Sequence, residues 1–460
     1  GADGGVGQAH REAATQLMHA LYDRNARREF CPLETWLERG FKLDAFGITS
    51  TEDSSHTLVV LREFPHVVPL DERVRIFTRL IQEDRQTQQC PETHVRIRRQ
   101  HIVEDGFAKL GVLRGELKGV VKVHFVNESG LDESGIDMGG LYKEFLTTLI
   151  ERAFHPDYGL FSFSPDRQLF PNPHSHLVHA HLDYFAFLGR ILGKALFDGI
   201  QMDLPFCGFF LSKLLGKHNY LDELPSLDPA LHKNLLYLKN YTGDISDLAL
   251  DFTVSADDYG GGAIEELIPG GKSIEVTAAN RIQYIHLMAD YRLNKQIKRQ
   301  CEAFLRGFQD VIRVDWIRFF NQTELQVLIS GEKNGDFDVE DLKQHTVYSG
   351  GYAASDSACK KFWKVVAEFN PSQKSALLKF VTSCPRPPLL GFSSLQPPFC
   401  IHKVRAERSF MELLSRKEED RLPSASTCMN LLKLPSYLHT STLKAKLLYA
   451  ITSNAGFELS

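Results

Sequence analysis

The stretch HTVYSGGYAASD, residues 345–356, constrains the fold of this chain more than any other. Two adjacent glycines among small polar residues separate two apolar regions. A glycine pair permits backbone angles that other residues resist, so the stretch is a candidate hinge. At 460 residues the chain is also too long for one ordinary core. A large part before the glycines and a small part after them are therefore expected.

Periodicity fills in both parts. Residues 11–45 and 58–85 show helical spacing of apolar residues, broken at Pro32, Pro65 and Pro69. VRIRRQHIVEDGFAKL starts as a strand and continues as a helix, and VVKVHFV (120–126) alternates as a strand does. GLYKEFLTTLIERAF, FAFLGRILGKALFDG, FCGFFLSKLLGK and LHKNLLYLKNY read as helices. IEELIPGGKSIEV has the shape of a β-hairpin around Gly270-Gly271. Helices follow in the segments starting NRIQYIHL and TELQVLISG. Beyond the glycine pair come helices ACKKFWKVVAEF and SQKSALLKFVTS, strand-like PPFCIHKV and CMNLLKL, and a last helix LKAKLLYAITS. No internal repeat is visible.

Composition excludes several classes. A net charge of −5 and a pI near 6.4 do not advertise nucleic acid or an anionic membrane as partner. No apolar run is long enough to span a bilayer. The start, GADGGVGQAH, lacks the regions of a signal peptide. Eight cysteines are scattered without a C-x-x-C pair, which disfavours disulfides and zinc fingers and suits a reducing, cytoplasmic setting.

Four chemistries compete for what remains. GGKS (270–273) resembles the end of a phosphate-binding loop, but that motif needs glycine where Glu266 stands and a helix where strand-like IEVT follows. His174, His176, His179 and His181 cluster without the carboxylate spacing of a zinc site, so no metal is expected. Cys428, in RLPSASTCMNLLKLP, would suit a cysteine protease only if His402 or His439 reached it as a base. Papain-like cysteines also sit early in their chains, within a C-G-x-C pattern. A thiol that accepts and passes on an acyl group needs less help, because a thiolate is already nucleophilic and the leaving thiol has similar basicity. Small neighbours Ser424, Ala425 and Ser426 would leave such a sulfur accessible. A mobile small lobe would let it meet a donor and then an acceptor.

From about residue 118 to its end the chain resembles a HECT-type ubiquitin-protein ligase. LPSASTCMNLLKLP matches the active-site pattern L-P-x-x-x-T-C-x-N-x-L-x-L-P. GIDMGGLYKEFL, FLGRILGKALFDG, LPFCGFFLSKLLG, ELIPGGKSIEVTAANRIQYIHLMADYRLN and KFVTSCPRPPLLGF match further landmarks in order. TSCPRPPLLGF and the terminal GFELS are most similar to the branch with an IQ motif upstream.

The resemblance implies an α+β, bilobal fold. It comprises a helical extension (1–117), a mainly helical N-lobe for conjugating-enzyme docking (118–347), a hinge (348–350; Ser349, Gly350 and Gly351) and an α/β C-lobe (351–460). It implies ubiquitin, a ubiquitin-conjugating enzyme and protein substrates as partners, and no cofactor. Cys428 would carry ubiquitin as a thioester, with Thr427 positioning it and Asn430 serving structure. Phe457, four residues from the end, would serve transfer to lysine. Leu231, Leu235 and Tyr284 would line the docking groove. Many members have histidine two residues before the cysteine; this chain has Ser426, which leaves open what orients the incoming lysine, with Glu458 a candidate. The rival from another class is a silent scaffold that binds ubiquitin or conjugating enzymes without transferring anything.

Overall fold

The computed structural model describes residues 3–37, 60–88, 90–127, 140–255, 264–331, 336–404 and 421–453. Its buried apolar side chains fall into two clusters, one running from Leu61 to Ile329 and the other from Phe337 to Ile451. Helices dominate the first; the second combines helices with a four-stranded sheet, and the whole is α+β.

The N-terminal third is helical, with α1 (Asp3–Arg27) and α2 (Leu70–Thr87). It does not stand apart from the first core. β1 (Thr93–Arg98) pairs in parallel with β2 (Val121–Val126), Thr93 opposite Val121, with helix α3 (Ile102–Leu110) as the crossover. Val95 and Ile97 thereby join the same core as Val121 and Val123. The edge expected at residue 117 thus falls between two strands of one sheet. On α2, buried Arg73 forms an ion pair with Glu324 at 2.6 Å and donates to the Phe319 carbonyl at 2.6 Å. A buried guanidinium is tolerated because its donors are used in this way.

Helix α4 (Gly140–Ala153) places Phe145, Leu146, Leu149 and Ile150 in the first core. After a short hairpin of β3 (Phe161–Phe163) and β4 (Leu169–Pro171) comes α5 (His181–Phe197). Every residue of α5 from Phe185 to Phe197 is buried, mostly apolar side chains together with Arg190 and Lys194, which pair with Asp310 and Asp198. Then come α6 (Gly208–Leu214) and α7 (Pro229–Asn240), the latter capped by the Asp228 carboxylate, which accepts from Leu231 N at 2.8 Å.

The hairpin expected around Gly270-Gly271 does not form. β6 (Ile264–Glu266) pairs backwards with β5 (Thr253–Ser255), and Gly271–Ser273 is a single 3-10 turn. The Glu266 carboxylate accepts from the backbone of Gly270 at 2.9 Å, which gives the turn a local cap and sends the chain away from β6.

Helices α8 (Arg281–Asp290), α9 (Lys298–Gln309) and α10 (Gln322–Ser330) complete the first core. α9 crosses α5 almost backbone to backbone. A Cβ on Gly189 would lie 2.0 Å from the Phe304 carbonyl oxygen, and one on Gly307 only 1.7 Å from that of Ala186.

The second core opens with α11 (Val339–Gln344) and β7 (Val347–Ser349). Helices α12 (Ser357–Ala367) and α13 (Pro371–Thr382) follow, then β8 (Cys400–Lys403), β9 (Ser424–Ser426), β10 (Leu431–Leu434) and α14 (Thr440–Thr452). The sheet order is β7-β8-β10-β9, with β7, β8 and β10 parallel and β9 antiparallel to β10. Among the described residues no helix is long and apolar enough to cross a membrane.

Candidate active site

Ser424–Ser426, the small neighbours of the thiol, form strand β9. Between β9 and β10 lies one 3-10 turn, Thr427–Met429, with Cys428 at its centre. Thr427 and Met429 are half-buried. The turn closes on Asn430, whose N–H donates to the Thr427 carbonyl at 3.3 Å and whose backbone is left-handed at φ 48°. Asparagine accepts that conformation more readily than other residues with a side chain, apart from aspartate.

Asn430 is fully buried and bonded on every side. Its Nδ2 donates to the Pro397 carbonyl at 2.5 Å, its own carbonyl accepts from Cys400 N at 2.9 Å, and its Oδ1 accepts from Lys143 Nζ at 2.5 Å. Lys143 lies on α4, in the first core, so the turn holding Cys428 rests against the other cluster. Sequence reading missed this lysine, although it stands in the landmark GGLYKEF. The available signal was its place three and seven residues before buried Leu146 and Ile150, on an otherwise apolar stripe. Beside the contact lies a cavity of about 440 Å³ between the two cores, lined in part by Ile81, Arg85, Lys143, Ile200, Thr382 and Leu395.

The other thiols are poor rivals. Burial pushes Cys207 and Cys301 up to about 12, and Cys359 and Cys384 up to about 11, so these stay protonated. Half-buried Cys400 has its sulfur 3.2 Å from the Ser349 hydroxyl. One of the two bases that the protease alternative would need, His402, is engaged elsewhere. His402 pairs in register with Lys433, two strand positions beyond the level of Cys400, and its Nδ1 lies 2.9 Å from the Ser349 hydroxyl. Among the described residues no three metal-binding side chains gather, the histidines around 174–181 included.

The residues expected at the hinge and in the docking groove can both be placed. Ser349 is the last residue of β7, paired with His402, and is not in a free linker; Tyr348 and Phe337 pack on the second core. The β-branched and aromatic residues of Val347-Tyr348 favour a strand there. Gly350 and Gly351 do take left-handed angles of 67° and 97°, and a Cβ on Gly350 would meet the His402 ring at 2.7 Å. The docking trio is not an exposed patch. Leu231 is half-buried, and Leu235 and Tyr284 are 3% and 7% exposed, Tyr284 standing edge-on to Phe252. These residues follow the inner stripe of α7 and α8. The outward apolar residues are Tyr237 and Ile282, 64% and 45% exposed. Phe457 and Glu458 lie outside the described residues.

The family described as HECT-domain (ubiquitin-transferase) matches residues 147–460, a span that includes this turn. The chain belongs to the HECT-domain family. Over 469 aligned residues it is 44% identical to ubiquitin-protein ligase E3B of Mus musculus, covering 96% of this chain and 44% of that protein. It is 43% identical to E3 ubiquitin-protein ligase UPL6 of Arabidopsis thaliana, covering 97% and 43% respectively. With E3 ubiquitin-protein ligase HUL5 of Saccharomyces cerevisiae the identity is 37%, over 88% and 45%. The chain therefore spans less than half the length of these relatives.

Proposed function

We propose that this chain is the catalytic portion of an E3 ubiquitin-protein ligase. A ubiquitin-conjugating enzyme hands it ubiquitin as a thioester on Cys428, and it passes ubiquitin to a substrate lysine. The first step exchanges one thioester for another: the Cys428 thiolate attacks the carbonyl, the donor thiolate leaves, and the proton balance closes between two thiols of similar basicity. In the second, a lysine amine forms an isopeptide bond, loses a proton and releases Cys428 as thiolate. The observation that carries this reading is the T-C-M-N segment, inside the HECT match, folded as a tight turn at one end of a sheet.

The two cores support reading the chain as two lobes, working in the cytoplasm with ubiquitin, a conjugating enzyme and protein substrates and without a metal or cofactor. Because residues 337–349 pack and pair with the second core, we place the pivot before Phe337 and not at Ser349, Gly350 and Gly351. Hydrogen exchange checks this: β7 amides should be protected together with those of β8, whereas β7 opening on its own would restore the glycine pair as hinge.

Phe457 is proposed to act in the second step, folding the tail over the turn. Burying such a ring contributes roughly 1.5–3 kcal/mol, enough to order a short tail. Phe457→Ala should then leave loading of Cys428 near normal and slow discharge onto free lysine roughly tenfold or more. Loading and discharge measured in single turnover test the whole reading. A silent scaffold would bind conjugating enzyme and discharge nothing.

A further inference from the structure

We propose that Lys143 is a positioning residue that holds the turn carrying Cys428 in register for the acceptor step. The inference rests on Cys428 being the acceptor thiol. Lys143 is 8% exposed, and its ammonium sits where α4 of the first core meets Asn430 of the second, 287 residues further along the chain. An ammonium only donates and a carbonyl only accepts, so the partners fix the amide of Asn430: oxygen toward Lys143, nitrogen toward Pro397. With the side chain held at both ends and its backbone closing the turn, Asn430 converts the position of α4 into the orientation of Thr427–Met429.

This bond exists only while the two cores are together. A buried ammonium without its acceptors is costly, so Lys143 favours the docked arrangement. Docking has different consequences for the two half-reactions. Loading brings a bulky conjugating enzyme to the turn and relies on thiol exchange, which needs little orientation. Discharge needs only a lysine side chain to approach, but a neutral amine must meet the thioester in a defined geometry. Lys143 therefore acts mainly on discharge.

The test uses the full chain, with Lys143→Met, close in size but unable to donate, and Lys143→Arg, which keeps a cationic donor. In the chain alone, amide exchange in peptides spanning 424–434 should quicken at least about fivefold in Lys143→Met and stay near wild type in Lys143→Arg. In single turnover, Lys143→Met should slow discharge onto free lysine about tenfold or more while slowing loading no more than about threefold, with partial recovery in Lys143→Arg. Unchanged exchange at the turn overturns the proposal. So do loading and discharge falling by one factor along with the melting temperature, which would mark a merely structural lysine. A wild-type chain that never loads ubiquitin defeats the ligase reading alone, and the exchange arm still decides whether Lys143 holds the turn.

Discussion

Cys428→Ala is expected to abolish ubiquitin transfer while leaving the fold and conjugating-enzyme binding intact. In the proposed mechanism the thiol forms the covalent intermediate, and its neighbours offer no substitute: the flanking residues are Thr427 and Met429, and four other thiols are held protonated by burial. Transfer should fall below about one thousandth of wild type. Binding should survive because the proposed docking residues Leu231, Leu235 and Tyr284 lie on helices α7 and α8 of the first core, whereas Cys428 lies in the turn between β9 and β10 of the second core's sheet. Cys384→Ala and Cys400→Ala should both remain active. Transfer persisting in Cys428→Ala and lost in either of the others would remove Cys428 from the mechanism.

The second large effect is on stability. Gly307→Val should destabilise the first core by upwards of about 3 kcal/mol, lowering its melting temperature by roughly 10 °C. The added Cβ would meet backbone, the Ala186 carbonyl, at 1.7 Å, so a side-chain shift cannot relieve it; α5 and α9 would have to move apart. Phe304 and Phe308, buried at that crossing, would lose their packing. Thermal unfolding followed by circular dichroism reads the change. A well-folded Gly307→Val chain melting within about 2 °C of wild type would show that the crossing is looser than described.

Much of this was legible in the sequence, and the misses have physical causes. FAFLGRILGKALFDG is predominantly apolar, and a helix of that kind is driven into the core. The turn that holds Cys428 was not foreseen, whereas the strand after it in CMNLLKL was legible from its apolar run, though it starts at Leu431. Strand partnership was not: the alternation of β1 and β2 identifies two strands, but a pattern of period two carries no address for its neighbour. The glycines at 270 and 271 suggested a hairpin, yet the Glu266 carboxylate made a local turn and β5 took the pairing. Leu235 and Tyr284 show a further limit. Helical spacing tells which residues share a face, not whether a partner protein or the chain's own core covers it. Lys143 was the hardest to see, since its meaning depends on Asn430, brought to it only when both cores have formed and met.

The most direct test of the central claim is to locate the ubiquitin adduct itself. The chain would be incubated with activating enzyme, conjugating enzyme and ubiquitin, quenched without reductant, separated on a non-reducing gel and mapped by peptide mass spectrometry. The account predicts a chain heavier by one ubiquitin, attached through a thioester at Cys428 and erased by added thiol. An adduct on another cysteine, an adduct that survives thiol, or none with any conjugating enzyme offered would contradict it.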